Sequence, residues 1–195
     1  TVIGSGLMGS TIAAHFANVG CTVNLLDIAD NKNKNKNYIV DQAIKKLLKI
    51  KPNPFTLKSN VKLIKPGNLE DDLNLINDSD WVIEAIIEDL YIKNKLYKKI
   101  DAIMKDDLIL SSNTSTIPIK LLTEGLSTKF KKNFLITHFF NPPRYLKLLE
   151  IVKSNEIDKA KLKKIINFCD VNLGKTVIEA KDTPGFIGNR IGIFW

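Results

Sequence analysis

A doubly wound α/β sheet, mostly parallel, is the fold this sequence predicts, and three observations carry the prediction. Short β-rich runs alternate with helix-periodic runs along most of the 195 residues, the pattern of parallel strands joined by right-handed crossovers. The first such unit contains Val2-Ile3-Gly4-Ser5-Gly6-Leu7-Met8-Gly9, a glycine turn between a strand and a helix. An acid, Asp27, closes the second β-rich run, about twenty residues beyond the glycines, where a ribose-binding carboxylate belongs.

Val2 and Ile3 read as the end of a buried strand. Gly4 permits a tight turn, Gly6 leaves no side chain in the way of a pyrophosphate, and Gly9 lets the following helix pack close. Leu7 and Met8 fall at the start of that helix, where free amides and the positive dipole end face the phosphates. Ile12, Ala13, Phe16, Ala17 and Val19 recur at helical spacing until Gly20 stops the run. A glycine-rich turn alone is common, and Asp27 alone reads as a surface residue. Strand, turn, helix, strand and acid in this order make a Rossmann-type dinucleotide half-site.

Residues 29–37 alternate asparagine and lysine and cannot bury a face, so they form a loop. The spacing then predicts a helix over 38–50, a short strand over 61–64, a central strand over 81–85 and a helix over 89–104. Further strands are predicted over 108–111, 134–140, 146–152 and 176–178, with helices over 117–122 and 157–173. The Pro184-Gly185 turn should open another helix, whose Ile187, Ile191, Ile193, Phe194 and Trp195 would form an apolar face. The expected domains are therefore 1–182, a nucleotide-binding sheet domain with a shortened first strand, and 183–195, the start of a C-terminal all-helical domain cut away beyond Trp195.

The formal charge of +8 invites a nucleic-acid reading, but only Arg144 and Arg190 are arginines and no basic-aromatic cluster appears. The lysines, including Lys45, Lys46, Lys49 and Lys51, read as solvated faces that would still suit a polyanionic small molecule. Cys21 and Cys169 lie in apolar contexts without partners at metal-ligand spacing, which points to reduced core residues, no metal site and a cytoplasmic setting. No apolar run reaches the length of a membrane span.

Ligands of open parallel sheets bind outside the carboxyl ends of the strands. The residues there are Gly4 to Gly9, Asp27, Glu88, Ser111 to Ser115, and His138 to Asn141. His15, inside the first helix, reads as structural or exposed. His138 ends a strand on the ligand side, and Glu150, twelve residues on, is the acid best placed to pair with it. With a nicotinamide bound, such a pair suits alcohol oxidation: the imidazole takes the hydroxyl proton and the carboxylate holds the ring and supports its cation.

The combination Gly-Ser-Gly-Leu-Met-Gly, Val-Ile-Glu-Ala-Ile-Ile-Glu-Asp, Ser-Asn-Thr-Ser, His-Phe-Phe-Asn-Pro-Pro and Asp-Thr-Pro-Gly-Phe-Ile-Gly-Asn-Arg resembles the 3-hydroxyacyl-CoA dehydrogenases of fatty-acid β-oxidation. It spans essentially the whole chain, and the run His138 to Glu150 looks most like the long bacterial and archaeal form followed by a hydratase domain. The resemblance implies His138 as catalytic base, Glu150 as its orienting partner, and Ser115 and Asn189 as hydrogen-bond donors to the reacting oxygen and thioester region. It implies NAD as cofactor, held by the glycine turn, Asp27, Glu88, Lys93, Ser115 and Asn141. An acyl-CoA is the implied substrate, in a homodimer or a multifunctional β-oxidation chain, with residues 1–195 alone binding cofactor but not turning over. Gly188 departs from the β-branched or alanine residue common at that place. Two other readings are a dehydrogenase of small β-hydroxy acids, which would normally use a lysine base, and a non-enzymatic dinucleotide-binding module of crystallin type.

Overall fold

In a computed structural model, which describes residues 1–193, eight strands are formed by β1 (Val2–Ile3), β2 (Val23–Asp27), β3 (Ile64–Asn68), β4 (Trp81–Glu84), β5 (Ile109–Ser112), β6 (Phe134–Phe139), β7 (Leu148–Lys153) and β8 (Thr176–Ala180). They join one sheet in the order β3-β2-β1-β4-β5-β6-β7-β8, Rossmann-type in its parallel part. Helices α1 (Leu7–Asn18), α2 (Tyr38–Leu47), α3 (Leu90–Ile103), α4 (Ile119–Leu122), α5 (Thr128–Lys132) and α6 (Lys159–Asn167) flank it, and α7 (Gly188–Ile193) follows. No helix of the described residues is long and apolar enough to cross a membrane.

Both faces of the sheet are covered, so its central strands are buried along their length and mostly apolar, with polar residues such as Glu84, Ser111, Ser112, Thr137 and His138 gathered toward their carboxyl ends. On β4, Trp81 and Ile83 join Phe16 of α1 and Ile165 of α6 on one face, while Val82 joins Tyr97 and Ile100 of α3 on the other. On β6, Leu135 faces the first core and Phe134 and Ile136 the second. Aromatic contacts tie each core together: Phe16 meets Trp81 edge-on at 5.3 Å, and Phe130 stacks on Phe134 at 5.3 Å.

Several expectations change in physical detail. The strand expected over 61–64 is displaced: Lys58–Leu63 is a 3-10 helix and β3 starts at Ile64. Pro66 and Gly67 are tolerated in it because β3 is an edge strand. The helix expected over 157–173 gives way after Asn167 to a π turn, Phe168–Asn172. α5 was not foreseen, being too short to show a period. Strand–helix alternation implied parallel pairing, yet β6 and β7 are antiparallel. The connection through Pro142 and Pro143 carries no crossover helix, and a parallel return needs one or a comparably long link. Of the expected apolar face after the Pro-Gly turn, Ile187, Ile191 and Ile193 are exposed, while Phe194 and Trp195 lie outside the described residues.

Candidate active site

The glycine turn is shaped by contacts that explain each glycine. Gly4 adopts φ +103°, and a Cβ on it would meet the Ala85 carbonyl oxygen at 2.5 Å, so both conformation and the approach of the chain beyond β4 exclude a side chain. A Cβ on Gly9 would strike the Gly4 carbonyl. Gly6 differs, with nothing within 4 Å of its Cβ position, which leaves open space on the face a phosphate would approach. No side chain caps the first turn of α1 and no acid stands in it, so its amides keep their capacity for an anion. Leu7 is exposed beside this turn and Met8 packs on the core beneath it. Asp27, half-buried at the end of β2, is fixed in place. Its Oδ2 accepts from the Ser5 amide and hydroxyl, both at 2.6 Å, and its Oδ1 from the Ile28 amide at 2.7 Å. Open space at Gly6, uncapped amides and an oriented carboxylate together fit a dinucleotide.

A second group lies at the carboxyl end of β4. Glu84 is fully buried, and its Oε1 accepts from Lys93 Nζ at 2.6 Å and the Ile86 amide at 2.7 Å. Its Oε2 accepts from the Tyr97 and Ser112 hydroxyls. Burial, and after it the Glu84 charge, pushes the Tyr97 phenol well above its ordinary range. Lys93 is buried too, and its ammonium also lies 3.4 Å from Glu88 Oε2. Lys93 therefore stands behind Glu88 rather than on the open face of the cleft. Glu88 Oε1 accepts from the Thr114 hydroxyl and from the Ser115 and Thr116 amides at 3.2 and 3.3 Å. Burial works to raise the Glu88 carboxyl, but the Thr114 hydrogen bond and the Lys93 charge outweigh it and hold the group below its ordinary value. Ser115 is braced on its other side by the Gly185 amide, which donates to its carbonyl at 3.0 Å.

The third group contains the two residues expected to pair. His138 and Glu150 are directly opposite in the β6–β7 register, so their side chains leave the same face of the sheet side by side. His138 Nδ1 lies 2.8 Å from Glu150 Oε2. With the proton on Nδ1, the carboxylate accepts it and Nε2 keeps a free lone pair. Glu150 is fully buried, and its other oxygen accepts from the Ile187 and Gly188 amides at 2.9 and 2.8 Å. Those amides are delivered by a turn in which Gly185 and Phe186 both have positive φ, +79° and +43°. For Phe186 this costs about 1–2 kcal/mol, offset by burial of its ring 5.7 Å from that of His138. Asn189 follows in the first turn of α7, half-buried.

Asn141 is exposed just past β6 and shares with Leu7, Thr11, Ile50 and Pro54 a cleft of about 280 Å³. A larger cavity of about 800 Å³ lies at the amino ends of the strands, among Thr1, Cys21, Asn24, Trp81 and Phe168. It touches none of the sequence-predicted side chains, and sheet geometry places ligands at the opposite end. Cys169 is buried against α6, which pushes its thiol up to about 12. Lys175 is held down to about 8 by burial, but its ammonium is engaged by the Pro143 and Leu146 carbonyls. Sequence reading missed Glu84 as a site residue. A glutamate inside the apolar run Trp81-Val82-Ile83 was the available signal, because a buried carboxylate must find donors.

Residues 1–183 match the family model described as 3-hydroxyacyl-CoA dehydrogenase, NAD binding domain. The chain belongs to that family. It is 48% identical to a Bacillus subtilis protein named "Probable 3-hydroxyacyl-CoA dehydrogenase", covering 99% of this chain and 26% of that protein. It is 49% identical to a Rickettsia felis protein whose name is that of a fatty acid oxidation complex trifunctional enzyme, covering 99% of this chain and 27% of that one. Among solved structures, the (S)-3-hydroxybutyryl-CoA dehydrogenase of Ralstonia eutropha superposes with a TM-score of 0.76 at 32% identity, over 97% of this chain and 65% of the other. The chain thus spans about a quarter of the length of those two curated relatives. NAD is the cofactor of this domain family, in keeping with the cradle at the glycine turn.

Proposed function

We propose that the chain carries the cofactor site and the proton-transfer pair of an enzyme that interconverts (S)-3-hydroxyacyl-CoA and 3-oxoacyl-CoA with NAD. The observation that carries this reading is the cross-strand His138–Glu150 pair at the end of β6, on the same sheet edge as the glycine cradle. When bound, NAD supplies the acceptor for the hydrogen and electron pair that leave the hydroxyl-bearing carbon. His138 Nε2 takes the hydroxyl proton, and Glu150, 2.8 Å from Nδ1, fixes the tautomer and stabilises the imidazolium that results. Ser115 and Asn189 hold the reacting oxygen and the thioester region. The glycine turn with Leu7 and Met8 receives the pyrophosphate, Asp27 the adenine ribose, and Glu88 and Asn141 the nicotinamide end, with Lys93 acting through Glu88. Residues from 183 onward open a helical second domain that covers the acyl-CoA, consistent with the family match ending at residue 183. The Rickettsia relative's name supports a place in a multifunctional fatty-acid oxidation chain, working in the cytoplasm.

The test is acetoacetyl-CoA reduction by the intact protein. His138→Gln is expected to lower turnover by roughly two to four orders of magnitude while NADH affinity stays nearly unchanged. Near-normal turnover in that variant would remove His138 as the base.

A further inference from the structure

We propose that Lys175 is a positioning residue for the nicotinamide end of the cofactor: its buried ammonium holds the turn that presents Asn141 to the cleft beside the glycine turn. This rests on the reading of Asn141 as a cofactor contact. Residues 142–146 form a single turn, closed by the Tyr145 and Leu146 amides, which both donate to the Pro142 carbonyl at 3.0 Å. A turn this short leaves its later carbonyls without partners of its own. Lys175 supplies them. Its Nζ donates to the Leu146 carbonyl at 2.9 Å and to that of Pro143, and it lies 5.9 Å from the centre of the Phe139 ring. Asn141 enters this turn from β6, exposed, and with Pro142, Pro143 and Arg144 makes one wall of the cleft of about 280 Å³.

Lysine at 175 comes at a cost to the fold, and only its hydrogen bonds offset it. It is 3% exposed, and among the described residues no carboxylate lies within ion-pair distance of it. Burial holds its ammonium down to about 8, so at pH 7 it still carries most of its charge. An apolar side chain would fill the same space without taking a cation out of water. What the ammonium adds is a set of donors converging from one point. That point is itself fixed: the Lys175 amide donates to the Cys169 carbonyl at 2.9 Å, and the Thr176 amide, first of β8, donates to the Lys147 carbonyl at 2.8 Å. On its other side the turn is tied by Arg144, whose Nη1 donates to the Asn53 and Phe55 carbonyls at 2.7 and 2.8 Å. That tie leads only to another loop, whereas Lys175 joins the turn to the sheet that also carries the glycine turn. Without the ammonium, Pro143 and Leu146 lose their donor and Asn141 loses its fixed place. The pyrophosphate and ribose contacts proposed at Gly6 and Asp27 belong to other segments and keep theirs.

The experiment measures binding of NADH, and of ADP-ribose, which lacks the nicotinamide, to the intact protein. Lys175→Met keeps the length of the side chain and loses the donors. It should weaken NADH by roughly three- to tenfold, the worth of about one hydrogen bond, with ADP-ribose within about twofold of wild type. Asn141→Ala should show the same pattern. In the double variant the loss should be close to that of Asn141→Ala alone, because Lys175 acts through that residue. Should methionine prevent folding, Lys175→Gln, neutral and too short to reach both carbonyls, carries the same expectations. A Lys175 variant that binds NADH as wild type does overturns the proposal. So does equal weakening of both ligands, the mark of a merely structural role, and so do losses that add. None of these measurements needs a substrate. A wild-type protein that binds NADH yet leaves acetoacetyl-CoA unreduced would therefore count against the dehydrogenase reading alone. Full NADH affinity in Asn141→Ala would remove that contact and the proposal together.

Discussion

His15 shows how a single residue can set the pH range of this fold without any part in the site. It is 6% exposed in α1, and neither ring nitrogen has a hydrogen-bond partner among the described residues. Burial first, and then the Lys175 charge, lowers it to about 4. The unfolded chain, with histidine near its ordinary 6.5, binds a proton between these values and the folded chain does not. Stability is therefore unaffected above about pH 6.5 and falls as pH drops toward 4, by up to about 3 kcal/mol. His15→Leu, close in volume and without polar atoms, should be as stable as wild type or more so at pH 7. Its stability should be much flatter between pH 6.5 and 4.5. Urea denaturation at the two pH values measures this, and an unchanged acid slope in His15→Leu would show that other groups carry it.

At the scale of elements, β4 and α3 form a unit joined by buried charge. Asp89 caps α3 by accepting from the Ile92 amide at 2.9 Å, and Lys93 and Tyr97, one helical turn apart, both reach Glu84. Lys93→Met is expected to destabilise by about 3–5 kcal/mol, because it strands a buried carboxylate. Adding Glu84→Gln should recover a substantial part of that loss. Denaturation of the two variants decides it, and simple additivity would show that the pair is not coupled. Much of this organisation was legible. The helices α1 and α3 follow from apolar periodicity, with a stop at Gly20 for the first, and the placing of His138 and Glu150 toward the ends of two apparent strands suggested the pair, to which the resemblance gave its roles. Other features left weak traces or none. β3 was misplaced because Pro66-Gly67 looks unlike a strand until its edge position is known. The reversal at β7 depends on what the proline-rich connection lacks. The clamp on Glu150 uses backbone amides, which every residue but proline has and which no pattern of side chains marks.

For the molecule as a whole, the sheet separates two jobs along one edge. The residues proposed to hold the pyrophosphate and adenine ribose gather around β1 and β2, and those proposed to move the proton gather on β6 and β7, with Glu88 after β4 and Asn141 after β6 proposed for the nicotinamide end. The central strands are packed on both faces, so the two groups are held at a fixed separation rather than brought together by motion. Substitutions in one group should then leave the other's function intact, as sites without shared partners usually do. NADH binding gives a direct readout, since a ligand at one hundred times its Kd stabilises the fold it binds by about 2.7 kcal/mol. Wild type and His138→Gln should show the same rise in melting temperature with NADH. Asp27→Ala should lose most of it, because no oriented carboxylate remains to accept from the ribose hydroxyls. NADPH should give a smaller rise than NADH in wild type, since Asp27 meets a 2′-phosphate with like charge and has no arginine beside it. If His138→Gln abolished the NADH shift, the cofactor and proton-transfer groups would be one cooperative site. Equal shifts with both cofactors would take the ribose role away from Asp27.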